Sequence, residues 1–588
     1  MNNLFIISAI IFSVFLSYLP FISNEPYIPI TWSLLLIFLH GKKHLFIGVN
    51  AYILLLLMLL ADHLNFLKIN FEIENAYSIL AMFLLFLSIL IDQELGRKKF
   101  KLAPILTSIL SLLLYVLAIS YIIYYLNFNT KVSEDIIYAL SQTNFQESIE
   151  YTSQYISPSL IIGSILFTFF LGYLLLKQEQ KESERIERSL LLVILIILYF
   201  DVQYHKPDIR LYSFARDATK HYQKELSLFQ ELQERRKKGL VKFISKKEEV
   251  NETYVIVIGE SLSKEHMGIY GYSRNTTPYL SQQNLLKFTN AYSSNIYTMP
   301  SLRLAFTKAN QYNKLNINQS LSIINILNKA DIETYWISNQ RLLGIHNNAV
   351  SLIANDADHI IALNHSMGKS LESDNYDQIV IEPFKNILKA KTSKTKVIFV
   401  HLMGSHVQFN KRYPTPEFSL YDKTINSTDI KTNDMINTYD NSVVYNDYIV
   451  NTLIKEVQAH SGVTGFIYFS DHALDLGSTP VRSVSAFTYK MVQIPLLMWF
   501  SNQYQEQYPK KYAYISKRAD VLFSNDLLYD TLIGLINIET DQYDQTFDLS
   551  SANYKLTDKK ALVLNGKLHY KDKKNPYCKS LTQNNEVK

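Results

Sequence analysis

The chain has 588 residues, 48% hydrophobic and 19% charged, with a net charge of +5 and one cysteine. That length admits more than one domain. The charge is too small for a nucleic-acid-binding surface, and a lone cysteine, Cys578, excludes an internal disulfide and a cysteine-ligated zinc site.

The first 200 residues are dominated by Leu, Ile, Phe and Tyr, with apolar segments near 4–23, 27–40, 45–62, 75–92, 102–126, 156–177 and 188–201. A spanning helix needs about 20 apolar residues; segments 27–40 and 188–201 are short enough to be re-entrant or interfacial. Segment 4–23 lacks a basic leader and a small-residue cleavage site, so it reads as a retained helix rather than a signal peptide. Basic clusters at Lys42-Lys43, Arg97-Lys98-Lys99 and Lys181, Arg185 and Arg188 belong on the cytoplasmic side. Five or seven crossings both leave the remainder of the chain outside. The expectation is a membrane domain over 1–204, a linker helix lying on the membrane surface over 205–245 and stopped near Gly239, and an extracytoplasmic domain over 246–588.

From 251 onward the pattern alternates. Strands are expected at 254–258, 334–337, 396–401, 466–470 and 494–500, and helices at 300–309, 320–329, 377–390 and 435–459. Such alternation predicts a largely parallel sheet wrapped by helices. The first strand, Val255-Ile256-Val257-Ile258, ends at Gly259-Glu260-Ser261, and a later one, Phe466-Ile467-Tyr468-Phe469, ends at Ser470-Asp471-His472. In open α/β sheets that edge is where ligands sit, so Glu260, Asp471 and His472 form a candidate metal site with two oxygen donors and one nitrogen donor. A lone Gly-Glu-Ser would read as a helix cap; the matching Asp-His strand end changes that reading.

Between these strands, the 267–278 stretch is a Gly/Pro-punctuated loop. A hydroxyl-rich turn follows, and a helix starts at Pro300. A hydroxyl beside a cation and a helix N-terminus is a candidate nucleophile. Thr298 is the best placed, with Ser293, Ser294 and Ser301 as alternatives. The strand at 396–401 ends in His401, and His406 follows beyond a Gly turn. His406 reads as facing the ligand and His401 as buried support.

These motifs, with the Gly-Tyr-Ser-Arg-Asn-Thr-Thr-Pro loop, Lys411-Arg412-Tyr413-Pro414 and Gln493-Ile494-Pro495, occur in an order that resembles the phosphoethanolamine transferases of Gram-negative envelopes, members of the sulfatase and alkaline-phosphatase-like superfamily. The resemblance covers about 250 to 540 and implies a multi-span α-helical membrane domain followed by an α/β sulfatase-like domain in the periplasm, anchored in the inner membrane. It implies Zn²⁺ held by Glu260, Thr298, Asp471 and His472, with Thr298 as nucleophile. His406 would lie near the substrate phosphate or a second metal, and His401, Asn339 and Gln340 on the substrate side, the latter two at the headgroup. Phosphatidylethanolamine is the implied donor and a lipopolysaccharide, at its core or lipid A, or another envelope glycan the acceptor. The Asp-His pair is followed by Ala473-Leu474 rather than Gly-Glu, and no histidine lies between 473 and 568, which weakens a second-metal site. With its single cysteine the chain looks closer to the low-cysteine branch of that family, which modifies the lipopolysaccharide core or other envelope glycans. Alternatives are a glycerol-phosphate transferase or sulfatase-like hydrolase of the same superfamily, although Ser293 and Ser294 lack the sulfatase modification motif, and a catalytically dead envelope-assembly scaffold.

Overall fold

The computed structural model describes residues 251–570 apart from 318–319, 341–348, 365–375, 423–429, 478–483 and 485–486, together with 244–246 and scattered positions between 56 and 220. The chain divides into two compact units, 1–138 with 155–222 and 139–154 with 223–588. In the first, helical residues 56–64 and 115–126 fall largely within the apolar segments 45–62 and 102–126; most of the other segments lie outside the described residues. Among the described residues no helix is long and apolar enough to cross a membrane. Most of the expected linker also lies outside them. Its end differs from expectation: Ile244–Lys246 is a short strand paired antiparallel with Ile538–Thr540, a partner too distant in sequence for local pattern to disclose.

The second unit is built on a seven-stranded sheet. In chain order its strands are β1 (Glu252–Gly259), β2 (Leu286–Lys287), β3 (Glu333–Ser338), β4 (His359–Ala362), β5 (Lys396–His401), β6 (Val463–Ser470) and β7 (Leu496–Phe500). Their spatial order is β2-β7-β6-β1-β5-β3-β4. From β6 to β4 every pairing is parallel, as expected. β7 departs, running antiparallel to β6. The expected strands at 254–258, 334–337, 396–401, 466–470 and 494–500 all form, while β2 and β4 are too short or too exposed to show a pattern.

The central strands are buried on both faces, which is why they read as continuous apolar runs. Along β1, Tyr254, Ile256 and Ile258 face one core and Val255 and Val257 the other. The helices α1 (Thr298–Ala305), α2 (Ile323–Lys329), α3 (Ala349–Ala354), α4 (Ile381–Lys389), α5 (Ile430–Gln458), α6 (Asn502–Gln507), α7 (Pro509–Ser516) and α8 (Leu528–Leu535) cover those faces. Helix α5, 29 residues long, packs Tyr439, Val443, Ile449 and Leu453 into the Val255 core. Helices α2 and α8 contribute Ile324, Leu327, Leu532 and Ile533 to the opposite one.

Candidate metal centre

Register assembles the site. Gly259 is the Cα partner of Ser470 in the β1–β6 pair, so the residues that follow, Glu260 and Asp471, leave the sheet side by side. On the other flank of β1, Ile258 is paired with His401, and His401 in turn with Ser338. The segments carrying His406 and Gln340 therefore exit at the same edge. Glycine is required at 259 because a Cβ there would come within 2.6 Å of the Tyr468 hydroxyl on β6. Ser261 takes φ 57°, a left-handed turn that ends the strand immediately after the carboxylate.

Glu260, Asp471 and His472 are buried, and one donor atom from each lies within 4.8 Å of the others. His472 Nε2 is 3.2 Å from Glu260 Oε1 and 3.4 Å from Asp471 Oδ2. Thr298, the first residue of α1, donates its hydroxyl to Glu260 Oε2 at 3.1 Å and lies 3.4 Å from His472 Nε2. The alternatives point elsewhere. Ser293 bonds the Asn295 carbonyl, Ser301 bonds the Asp471 carbonyl at 2.6 Å, and the buried Ser294 hydroxyl has no hydrogen-bond partner. Of the four hydroxyls weighed in the sequence, Thr298 is the one brought to the acidic cluster.

The donor set suits a zinc ion. Asp471 Oδ1 accepts the amides of Ser261 at 3.0 Å and His472 at 2.7 Å, whereas its buried Oδ2 makes no hydrogen bond. A buried carboxylate oxygen without a donor is costly unless something positive meets it. His472 Nδ1 lies 3.2 Å from the Ala473 carbonyl; a proton there leaves the Nε2 lone pair facing the carboxylates, the arrangement of a ligating histidine. Burial, reinforced by the Glu260 charge, pushes the Asp471 carboxyl well above the usual carboxylate range. A divalent cation would reverse that balance. Carboxylate oxygens, a hydroxyl oxygen and an imidazole nitrogen are ligands zinc accepts in a four-coordinate site.

The surrounding residues hold these groups still. Ser261 Oγ donates to Glu260 Oε1 at 2.6 Å, and Gln340 Nε2 donates to Glu260 Oε2 at 3.1 Å and to the Leu402 carbonyl at 3.0 Å. Asn525 Nδ2 bonds both Ser301 Oγ and the Asp471 carbonyl, tying α1 to the end of β6. Tyr439 on α5 donates to the Ser261 carbonyl and accepts the Ser263 amide, both at 2.8 Å.

The remaining sequence candidates separate. Gln340 touches Glu260 itself. Asn339 is fully buried and donates its amide to Asp377 at 2.9 Å, a supporting position. His401 is 2% exposed, packs edge-on to Trp336, and neither ring nitrogen has a hydrogen-bond partner, in keeping with buried support. Burial holds its imidazole down at about 4. His406 is half-buried in the turn after β5, its amide bonded to the Met403 carbonyl. Asp377, Tyr439 and Asn525 escaped sequence reasoning: each is a polar residue in an unremarkable local context.

A family profile described as Sulfatase matches residues 252–538. Phosphoethanolamine transferase EptC of Escherichia coli is 27% identical over 497 residues, covering 77% of this chain and 83% of that protein. Phosphoethanolamine transferase CptA of Salmonella typhimurium is 28% identical over 487 residues, with the same two coverages of 77% and 83%. The crystal structure of the C-terminal periplasmic domain of Escherichia coli EptC in complex with Zn aligns with a TM-score of 0.51 at 30% identity, over 56% of this chain and 98% of that one. The integral membrane protein lipooligosaccharide phosphoethanolamine transferase A from Neisseria meningitidis aligns with a TM-score of 0.58 at 18% identity, over 84% of this chain and 97% of that one, a likeness of fold.

Proposed function

The chain belongs to the sulfatase-like phosphoethanolamine transferases, and on that premise we propose that it moves phosphoethanolamine from phosphatidylethanolamine to a lipopolysaccharide through Thr298. Relatives named phosphoethanolamine transferase EptC and CptA, matched over most of their length, support the transfer of phosphoethanolamine. The observation that carries the reading is the Thr298 hydroxyl, at the start of α1, in contact with Glu260 and His472.

The first step forms a bond from Thr298 Oγ to the headgroup phosphorus and breaks the bond from phosphorus to the diacylglycerol oxygen. The threonine proton finally resides on released diacylglycerol. In the second step an acceptor oxygen takes the phosphoethanolamine group and Thr298 recovers a proton. Glu260, Asp471, His472 and Thr298 would hold Zn²⁺, which when bound supplies Lewis acidity that favours ionisation of the threonine hydroxyl. The residues do the positioning. Glu260 Oε2 fixes the hydroxyl hydrogen bond, and Ser301 and Asn525 lock the peptide behind Asp471. The amide groups opening α1 lie beside the nucleophile, where they favour the phosphate charge. His406, on the turn beyond β5, is the proton shuttle or phosphate contact in this scheme.

The apolar segments of residues 1–204 and the fold likeness to an integral membrane transferase support an inner-membrane anchor with the catalytic domain in the periplasm. An anchored domain suits a donor that lives in the bilayer. Mass spectra of lipopolysaccharide from cells carrying the wild-type chain or Thr298→Ala test the function. The wild type adds one phosphoethanolamine increment and the variant loses it by at least about 10³-fold, as for removal of a catalytic nucleophile. If no envelope glycolipid gains the increment from the wild type, the reading fails.

A further inference from the structure

Asp377 opens the turn before α4 and is 3% exposed. Its carboxylate accepts three hydrogen bonds from two separate segments. Asn339 Nδ2 reaches Oδ1 at 2.9 Å, the Met403 amide reaches Oδ1 at 2.8 Å, and the Gly404 amide reaches Oδ2 at 2.8 Å. Both segments also contact Glu260. Gly404 takes φ 53° and lies so close that a Cβ would sit 2.8 Å from the Glu260 amide nitrogen; the next amide, of Ser405, donates to the Glu260 carbonyl at 3.0 Å. On the other side, the residue after Asn339 is Gln340, which donates to Glu260 Oε2.

We propose that Asp377 is a positioning residue for the metal centre: its one carboxylate holds the Met403–Ser405 turn against the backbone of Glu260 and the Asn339–Gln340 pair against its side chain. The inference rests on the transferase reading in taking Glu260 for a zinc ligand. The physical reason is that a glutamate side chain has several rotatable bonds, and only fixed neighbours select the rotamer that faces His472 and Asp471. Releasing the clamp frees Gln340 and the turn together, so Glu260 samples rotamers that do not ligate. Outer partners of metal ligands are commonly worth 10–100-fold in affinity.

The test uses the full chain in detergent. Zn²⁺ affinity is measured by competition with a chromogenic chelator, and site geometry by the visible absorption of the Co²⁺-loaded protein. Asp377→Asn keeps the size but points an amide at backbone donors. Asp447→Asn is the control, because Asp447 on α5 likewise accepts two backbone amides, those of Tyr279 and Leu280. Asp377→Asn is expected to weaken zinc roughly 10–100-fold and shift the Co²⁺ bands, while Asp447→Asn lowers Tm and leaves both metal readouts unchanged. Equal zinc affinity and spectrum in Asp377→Asn and wild type, or a loss no larger than the control's, overturns the proposal. If Asp377→Asn does not fold, Asn339→Ala decides: it cuts one arm, so zinc should weaken by a smaller factor, and unchanged affinity sinks the idea. A wild-type chain that binds no zinc removes the metal reading and this proposal together, whereas normal wild-type binding with a silent Asp377→Asn removes this proposal alone.

Discussion

Thr298 Oγ1 donates to Glu260 Oε2 at 3.1 Å across 38 residues of sequence, joining the first residue of α1 to the residue that follows β1. The same Glu260 oxygen also accepts Gln340 Nε2, so the proposed nucleophile and an amide from a separate loop meet at one carboxylate oxygen. A threonine hydroxyl held this way has a defined direction before any substrate arrives, and preorganisation of that kind lowers the entropic part of the barrier.

Removing either acidic donor should uncouple zinc from stability. A ligand that binds only the folded state at about 100 times its Kd contributes roughly 2.7 kcal/mol. Added Zn²⁺ should therefore raise the Tm of the wild type by several degrees, and Glu260→Gln or Asp471→Asn should abolish that rise. Differential scanning fluorimetry with and without chelator checks it; an unchanged zinc response in both variants would show that the ion sits elsewhere.

Gly404→Ala tests the close approach of the turn to Glu260. The position has φ 53°, and an added Cβ would meet Glu260 backbone atoms at 2.8 and 2.9 Å. Left-handed backbone at a non-glycine residue and a backbone clash each cost on the order of 1–3 kcal/mol. The variant should lose several degrees of Tm and weaken zinc as well. Gly271→Ala, also at positive φ but with open space around it, should lose stability alone.

Asp530 predicts a pH dependence with a definite sign. It is 2% exposed, its Oδ1 accepts the Asp544 amide at 2.9 Å, and burial pushes its carboxyl up to about 8. The unfolded chain releases that proton near pH 4. Between about 4 and 8 the native state therefore binds more protons, so the group's contribution is fully present below about 4 and declines as pH rises through 8. Asp530→Asn keeps the acceptor and removes the titration. It should gain roughly a few kcal/mol over wild type at pH 8.5 and nothing at pH 4. Parallel urea melts at the two pH values measure it, and an equal effect at both would refute the assignment.

His401→Leu separates support from substrate contact. The ring is buried against Trp336, and its imidazole is held down at about 4 by burial, with Glu260 opposing. Its folded pKa lies below the unfolded one, so its contribution is present above about 6.5 and is lost as pH falls toward 4. Leucine removes two unpartnered ring nitrogens, which is near neutral or stabilising when shape is kept. KM for the lipid donor should stay within about twofold, and the variant should melt later than wild type at pH 5. A large rise in KM would instead make His401 a substrate contact.

Much of this protein was legible from local pattern. Runs such as Val255–Ile258 and Phe466–Phe469 announce buried parallel strands because both faces must be apolar, and a polar residue ending such a run has to leave at the ligand-binding edge. That logic reached Glu260, Asp471 and His472, and the proline-led turn reached the neighbourhood of Thr298. Other features depend on partners far away in the chain. The placement of Thr298 rather than Ser293, Ser294 or Ser301 beside Glu260, the different partners of Asn339 and Gln340, the antiparallel direction of β7 and the hydrogen bonds to Asp377 all depend on long-range contacts. Sequence periodicity reports which face of an element is apolar. It does not report which donor meets which acceptor, because a hydrogen bond is decided by a few ångströms of placement that only the packed sheet and its covering helices supply.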